Sequence, residues 1–326
     1  MDRSRCGQRG FVRPKDRHRA QELDTRLRTF AETRPLPGIR DRAHRRTFLE
    51  QLVESIRRIE YISLIRTRDV SHLRADPSSD LFDPVKAAVL RQHQGQIDEA
   101  FWLVFLSVYF GKSSRTGWRL ARDVYGRLGK INHWDWARIS RRPRAFRQWL
   151  VAHERILAGG DGIPRQFGNH RKYESLDASS LRGPAAAFES YVQWVGPPRT
   201  HEMLIEEVRR QARGDPRKTF DNLYHSMTVA SFGRTAKFDY LTMTGKLDLA
   251  AIEPGWTYMQ AATGPLCGAR LLFGGRKSAA LRASELEAWL VELEAQLSVG
   301  THGMQVLEDA LCNWQKSPRR FVPFRG

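Results

Sequence analysis

Hydrophobic residues recur at spacings of three and four positions along almost the whole chain, and alternation with a period of two is hard to find. The clearest case is residues 41–66, where Phe48, Leu52, Ile56 and Ile59 form one apolar stripe between Arg and Glu side chains. Such a stripe is typical of an amphipathic helix with one buried face. The pattern therefore predicts an all-α protein, built as a multi-helix bundle.

Proline and glycine mark the ends of the predicted helices. Asp83 and Pro84 are typical of an N-cap followed by a proline in the first turn of a helix. Gly111 marks the end of the apolar helix that finishes at Phe110. Further segments are assigned on the same grounds. The predicted helices after residue 66 are 84–93, a segment ending at 110, 117–128, 143–157, 184–195, 201–212, 216–229, 234–247, 255–261, 266–273, 284–297 and 301–316.

The chain of 326 residues carries 54 Lys and Arg residues against 36 Asp and Glu residues, a formal net charge of +18. This excess attracts polyanions, so we expect DNA as the partner. A membrane is a weaker candidate, because the cations are spread along the whole chain instead of facing an apolar stripe. The longest dense apolar run, 101–110, is about half of what a membrane-spanning helix needs.

The first 46 residues hold the densest cationic cluster, and two interpretations are open: a solvated, partly disordered tail, or an arm that follows DNA. We expect a basic arm over 1–40, an N-terminal helical part over 41–160, and a C-terminal helical part with the candidate active site over 161–326. Because no signal sequence is recognisable at the N-terminus, we expect a cytoplasmic, nucleoid-associated protein.

Cys6, Cys267 and Cys312 are widely spaced without a CxxC motif, and the ten His residues occur singly. We therefore expect neither disulfides nor a metal site. The sequence requires no cofactor, although a divalent metal would suit phosphate chemistry.

The helix predicted over 301–316 has two distinct faces. Opposite its apolar face are Asp309, Asn313 and Lys316, with Glu308 at the edge. One interpretation is a solvated surface, and the other is a catalytic wall, because groups one helical turn apart can orient one ligand. In the second, Asp309 acts as a general base or stabilises a cation, Asn313 orients the ligand and Lys316 holds a phosphate.

Residues 231–241 begin a helix after Gly233, with Arg234 and Lys237 one turn apart. Backbone amides and two cations at a helix N-terminus can bind a phosphate or pyrophosphate. An ordinary charged first turn is the alternative, because the full P-loop motif is absent.

Residues 158–173 are the most irregular stretch, with four glycines and a proline before a basic end. Their mixture of side chains suits phosphates and an extruded base, and a charged surface loop is the alternative. The candidate nucleic-acid contacts here are Arg165, Asn169, His170, Arg171 and Lys172.

Residues 261–273 contain a turn of small residues of the kind found in a helix-hairpin-helix, which binds DNA phosphates through backbone amides. An ordinary αα-turn is at least as good an interpretation, because the glycine spacing is degraded. Arg270 is a further candidate nucleic-acid contact.

Five segments resemble a known family, the α-glutamyl/putrescinyl thymine pyrophosphorylases, and its third bacterial clade in particular. The resemblance extends from about residue 95 to the C-terminus and implies an all-helical fold similar to that of DNA glycosylases. The segments are FWLVFLSVYFGKSSRTGWRLARDVYGRLG (101–129), IPRQFGNHRKYESL (163–176), SFGRTAKFDYLTMTGKLDLAAIEPGW (231–256), ATGPLCGARLLFGG (262–275) and MQVLEDALCNWQKSP (304–318).

The resemblance implies an enzyme that acts on thymine-type bases in DNA, where an amine displaces pyrophosphate from a pyrophosphorylated 5-hydroxymethyl group. DNA and a small amine donor, an amino acid or a polyamine, would be its partners. The last helix, the 234–239 turn and the 165–172 loop would form the active site. Matching motif residues are Gly233, Arg234, Lys237, Phe238, Glu308, Asp309, Leu311, Cys312, Asn313 and Lys316.

Two other functions are compatible with the same residues. One is a non-catalytic DNA-binding protein of the same fold, whose cations only hold phosphates. The other is a DNA glycosylase acting on a modified base.

Overall fold

The computed structural model describes residues 12–168, 171, 174–197 and 199–323. Over these residues the protein is all α, as predicted, and has fourteen α-helices and no β-sheet. In chain order the helices are α1 (Arg17–Thr33), α2 (Arg42–Arg66), α3 (Pro84–His93), α4 (Ile97–Phe110), α5 (Arg119–Tyr125), α6 (Trp136–Arg141), α7 (Pro143–Arg155), α8 (Pro184–Val195), α9 (His201–Gln211), α10 (Pro216–Ser226), α11 (Arg234–Lys246), α12 (Gly264–Gly274), α13 (Ala283–Leu297) and α14 (Gly303–Trp314).

The chain divides into two compact units. Among the described residues, the terminal unit comprises 12–61 and 256–323, and the central unit comprises 62–255. This division differs from the expected boundaries at residues 40 and 160. The reason is that helices from both ends of the chain bury their apolar faces in one core.

The core of the terminal unit is formed by α1, the first part of α2, α12, α13 and α14. Helix α1 packs against α13, and α12 packs against α14. A Cβ atom on Gly268 of α12 would overlap the Leu311 carbonyl group of α14, so glycine permits this close approach. On the other side of α14, the rings of Trp314 and Phe48 lie 5.0 Å apart.

Helix α1 shows that residues 17–33 are not a solvated, disordered tail, which was one of the two interpretations of the basic N-terminal cluster. Its side chains Leu23, Leu27 and Phe30 are buried in the core of the terminal unit. These three apolar residues are surrounded by charged ones, which is why the charge pattern concealed the helix. Residues 1–11, where the densest cationic cluster begins, lie outside the described residues.

The segment considered as a helix-hairpin-helix has a different form. Residues 255–261, predicted as a helix, contain only the 3-10 turn Met259–Ala261, and α12 follows it. Gly268 of this segment lies against Leu311 of α14.

In the central unit, helix α4 is buried along most of its length, as its apolar sequence predicts. Helices α3, α9 and α11 pack against it. From α4, Trp102 and Phe105 contact Phe188 and Tyr191 of α8 through their rings. Within the described parts of the chain, no helix is long and apolar enough to cross a membrane.

Candidate active site and phosphate-binding turn

The polar face of α14 is continuous along the helix, and we call Asp309, Asn313 and Lys316 the α14 row. Met304, Leu307 and Trp314 on the opposite face are fully buried, which fixes the rotation of the helix. Asp309 and Asn313 are half-buried, and Lys316, just after the helix end, is exposed. The structure thus places these three predicted residues together.

Hydrogen bonds connect the members of the α14 row. The Asn313 Nδ2 atom donates to the Asp309 carbonyl oxygen at 2.9 Å. The Lys316 Nζ atom donates to Asn313 Oδ1 at 3.3 Å. Asn313 therefore contacts both other members of the row, and its predicted role of orienting a ligand stays a prediction.

Two residues of α2 that the sequence did not suggest hold the Asp309 carboxylate. Ser55 Oγ donates to Asp309 Oδ2 at 3.1 Å, and Arg58 Nη2 lies 3.2 Å from the same oxygen. The side chain of Asp309 is 28% exposed and that of Arg58 is 26% exposed. A small molecule can therefore reach the carboxylate, which is fixed from one side by a hydroxyl group and a cation.

Glu308 and Gln305 occupy more buried positions on α14. Glu308 is 7% exposed, so its carboxylate lies deeper than that of Asp309. Gln305, one turn before Asp309, is also 7% exposed, and its Oε1 atom has no hydrogen-bond partner among the described residues.

In the central unit, the turn before α11 has the residues of the predicted anion site. The backbone of Ser231 is left-handed, with φ of 62°, and Gly233 is the N-cap. The Arg234 guanidinium lies 4.8 Å above the Phe238 ring. We call residues 231–238 the phosphate-binding turn after the predicted anion site, which stays a prediction.

Lys237 is directed partly towards the protein. Its Nζ atom donates to the Tyr224 carbonyl oxygen at 3.3 Å and lies 5.4 Å from the centre of the Tyr224 ring. Partial burial lowers the pKa of Lys237 below that of a free lysine.

Arg171 joins the 158–173 loop to this turn. Its Nη1 atom donates to the Ser231 carbonyl oxygen at 3.2 Å, and its guanidinium lies 5.3 Å above the Phe232 ring. Glu174 forms an ion pair with the same nitrogen at 3.4 Å. The Arg171 Nη2 atom is buried without a hydrogen-bond partner among the residues described.

Arg165 has its side chain 3% exposed and is held by two carboxylates. Its Nε atom lies 2.6 Å from Asp123, and its Nη1 atom lies 2.8 Å from Asp161. Hydrogen bonds from Arg165 hold the pKa of Asp161 at about 2. Through these ion pairs the buried Arg165 side chain stabilises the conformation of the loop.

The remaining predicted nucleic-acid contacts are placed as follows. Arg270 of α12, in the terminal unit, is half-buried and donates from Nε to the Leu281 carbonyl oxygen at 3.2 Å. Asn169, His170 and Lys172 lie outside the described residues.

Tyr109 is a further residue that the sequence analysis missed. It is fully buried near the end of α4, and its hydroxyl group has no hydrogen-bond partner within the described chain. Burial and the nearby Glu174 carboxylate raise its pKa, whereas the positive charge of Arg171 opposes this shift. The side chains of Tyr109 and Arg171 both lie against Phe232 of the phosphate-binding turn, and each has a buried hydrogen-bond donor there.

The structure shows no metal-binding cluster in the residues it describes, since no three His, Cys, Asp or Glu side chains there could hold an ion. Cys267 and Cys312, the two cysteines in the described part of the chain, are not joined by a disulfide bond.

The comparisons with known proteins can now be set beside this geometry. The sequence model of the family described as alpha-glutamyl/putrescinyl thymine pyrophosphorylase clade 3 matches residues 43–326. No curated protein matches the chain, and no solved structure matches it. The matched region includes Arg58, the phosphate-binding turn and the α14 row. The family description implies a pyrophosphorylase-like enzyme of thymine modification. Because the match covers most of its residues, the chain belongs to clade 3 of the alpha-glutamyl/putrescinyl thymine pyrophosphorylases.

Proposed function

We propose that this protein is a DNA base-modifying transferase. It would displace pyrophosphate from a pyrophosphorylated 5-hydroxymethyl pyrimidine in DNA with an amine nucleophile. The observation that carries the proposal is the half-open carboxylate of Asp309, held by Arg58 and Ser55 within the region that the family model matches. The net charge of +18 supports DNA as the substrate.

The proposed reaction exchanges one bond at the 5-methylene carbon. The carbon–oxygen bond breaks, and its electron pair leaves with pyrophosphate. The amine nitrogen then forms a carbon–nitrogen bond and releases one proton. Asp309 accepts that proton, and its negative charge stabilises the cationic character of the carbon before the amine attacks.

The neighbours of Asp309 have supporting roles in this proposal. Arg58 fixes the carboxylate through its ion pair, and Asn313 positions the side chain of Lys316. Lys316 is exposed and would bind a phosphate group. Glu308 is buried, so we assign it a positioning role next to Asp309.

DNA binding is assigned separately, to the central unit. Arg234 and Lys237 lie in the first turn of a helix of thirteen residues, where the helix dipole also favours an anion. Arg171 stabilises the turn through its hydrogen bond to the Ser231 carbonyl oxygen. Asn169, His170, Lys172 and Arg270 remain predicted nucleic-acid contacts, and Arg165 would act by shaping the loop.

Mass spectrometry of nucleosides tests the reaction directly. A duplex carrying one pyrophosphorylated 5-hydroxymethyluracil is incubated with the protein and either putrescine or glutamate, with Mg²⁺ or with EDTA. We expect a nucleoside whose mass corresponds to amine addition and loss of pyrophosphate. Asp309→Asn should remove this product and keep the affinity for DNA. The EDTA sample shows whether a divalent metal takes part.

A non-catalytic DNA-binding protein is the second candidate, and one observation favours it. Asp309 already has a cationic partner in Arg58, an arrangement that also occurs in purely structural ion pairs. This function predicts DNA binding with no new nucleoside for either amine. Alkali-labile abasic sites in the same samples would identify a glycosylase instead.

A further inference from the structure

Leu181 is an unusual apolar side chain because it is 85% exposed on a short loop before α8. An isolated exposed aliphatic residue is common in proteins and needs no explanation by itself. The surroundings of Leu181 distinguish it, because its loop is rigid and is bonded to the phosphate-binding turn.

Hydrogen bonds hold the loop that carries Leu181. Asp177 Oδ1 accepts from the backbone nitrogen of Ser179 at 2.8 Å and from its hydroxyl group at 2.6 Å. Arg147 donates to the Ala178 carbonyl oxygen at 2.6 Å. A Cβ atom on Gly183 would overlap the Asp177 carbonyl group, so the loop closes tightly. The exposure of Leu181 is therefore imposed by a fixed backbone.

The loop is connected to the phosphate-binding turn through backbone contacts. Ser231 Oγ donates to the carbonyl oxygen of Arg182, the residue next to Leu181. Ser231 also accepts a hydrogen bond from Arg171 through its own carbonyl group. Arg182 is exposed, and its side chain has no hydrogen bond or ion pair within the described residues. The exposed Leu181 thus adjoins an exposed cation, Arg182, whose backbone is bonded to a turn predicted to bind phosphates.

We infer that Leu181 is a wedge that inserts between stacked base pairs of duplex DNA while the cations around it hold the phosphate backbone. This inference rests on the proposed function, because chemistry on a base inside a duplex requires the base to leave the stack. Apolar side chains inserted into a base step unstack it, and adjacent Arg residues keep the strand in place. The rigid loop means that little conformational entropy is lost when Leu181 enters the stack.

The test compares Leu181→Ala with Ile131→Ala. Ile131 is a matched control, because it is an aliphatic residue of the same unit and is 86% exposed. The probe is a short duplex with 2-aminopurine beside one pyrophosphorylated 5-hydroxymethyluracil, together with the same strand unpaired. Unstacking raises the fluorescence of 2-aminopurine, which gives a readout independent of turnover.

We expect the wild type and I131A to raise the fluorescence of the duplex and to modify it at equal rates. L181A should lose most of the fluorescence rise and about tenfold or more of the duplex rate, while keeping its rate on the single strand. Leu181→Met should restore both readouts, since methionine can fill the same space.

The remaining outcomes separate the wedge from the proposed function. If L181A behaves like I131A while the wild type forms product, the wedge is overturned and the proposed function stands. If L181A loses the same activity on duplex and single strand, Leu181 supports the fold of the turn and is not a wedge. If the wild type neither binds nor modifies the duplex, both proposals fail.

Discussion

Each of the two units contains a partly exposed aspartate that is paired with a basic side chain. The surroundings of the two pairs differ. In the terminal unit, Asp309 contacts Arg58, and its helix leads outwards to the exposed Lys316. In the central unit, Asp98 contacts His201, which is 1% exposed. The side chains of the two aspartates are about equally exposed, 28% and 30%.

Asp98 is the first member of a hydrogen-bonded chain of side chains that continues into the core of the central unit. The His201 Nδ1 atom lies 2.6 Å from Asp98, and its Nε2 atom lies 2.7 Å from the Tyr191 hydroxyl group. That hydroxyl lies 2.8 Å from the hydroxyl group of Tyr240, and both tyrosines are buried. The Phe101 ring stacks on the imidazole with 4.8 Å between centres. This network is satisfied internally and closed to ligands.

The comparison teaches that the exposure of one carboxylate does not identify a site. What matters is whether the groups connected to it have partners inside the protein or remain available to a ligand. A satisfied buried network contributes to stability and to a unique packing, whereas polar groups that reach the surface can bind a substrate. The following substitutions test this distinction, from the largest expected effect to the smallest.

Asp309→Asn should lower turnover by about 100-fold or more, because the amide cannot accept a proton. The free energy of unfolding should change by less than about 1 kcal/mol, since the ion pair is partly open to water. Single-turnover product formation and urea unfolding measure the two effects. Asp248→Asn is the control, because Asp248 forms an ion pair with Arg66, 3.0 Å away, at a more exposed position outside the proposed site. If D309N and D248N turned over at similar rates, Asp309 would have a structural role and no role in the reaction.

His201→Ala should destabilise the protein by about 3 kcal/mol. It leaves a cavity beside Phe101 and deprives Asp98 and Tyr191 of a partner. Urea unfolding measures the loss, and the rate per folded molecule should stay near that of the wild type. A variant that is stable but inactive would show that the closed network takes part in catalysis.

Glu99 gives a test based on pH. Burial raises the pKa of Glu99 to about 7, although its carboxylate accepts hydrogen bonds from the Trp136 amide and the Tyr125 hydroxyl group. The folded protein therefore retains a proton that the unfolded chain releases above pH 4.5. Stability from this group is present at low pH and is lost as the pH rises, by about 2 kcal/mol between pH 5 and 7.

Glu99→Gln should remove this contribution. Because burial lowers the pKa of His201, that group acts in the opposite direction and loses stability as the pH falls below about 6.5. The measurement is therefore the difference between E99Q and the wild type in urea unfolding at pH 5 and pH 7. Glu60→Gln is the control, because Glu60 is an exposed partner of Arg19. Identical pH dependence in E99Q and the wild type would contradict the assignment.

Lys316→Met should have the smallest effect, about three- to tenfold weaker binding of the pyrophosphorylated duplex. The slope of the logarithm of affinity against the logarithm of salt concentration should decrease by about 1 in magnitude. Fluorescence anisotropy over a salt series measures both. Lys277→Met, at another exposed position of the terminal unit, provides the comparison. Equal effects of the two substitutions would mean that the α14 row has no special affinity for phosphate.

Much of the fold could be predicted because helix formation depends on local patterns. The stripe at 41–66 corresponds to α2, and the Asp83 cap was confirmed, because the backbone amides of Val85 and Lys86 donate hydrogen bonds to the Asp83 carboxylate. The prediction failed for α1 and α6. In α1 the apolar residues are few and lie among charges, and α6 is only six residues long.

The candidate site was only partly predictable for the same physical reason. The members of the α14 row are neighbours on one helix, so their spacing alone placed them on one face. Ser55 is separated from Asp309 by 254 positions, and no local pattern connects them. The contact of Arg171 with Ser231, 60 positions away, was also invisible, although each segment had been predicted to bind anions.

The sequence by itself determined the all-α class, most of the helices, the excess of positive charge and the polar face of the last helix. These properties depend on composition and on residues within one or two helical turns. The tertiary structure decided which cations form ion pairs with carboxylates inside the protein, and Arg165 is one of them. It also decided that the Asp309 side chain, although paired with Arg58, stays partly exposed. Pairing and burial depend on contacts between distant segments, and those contacts exist only once the core has formed.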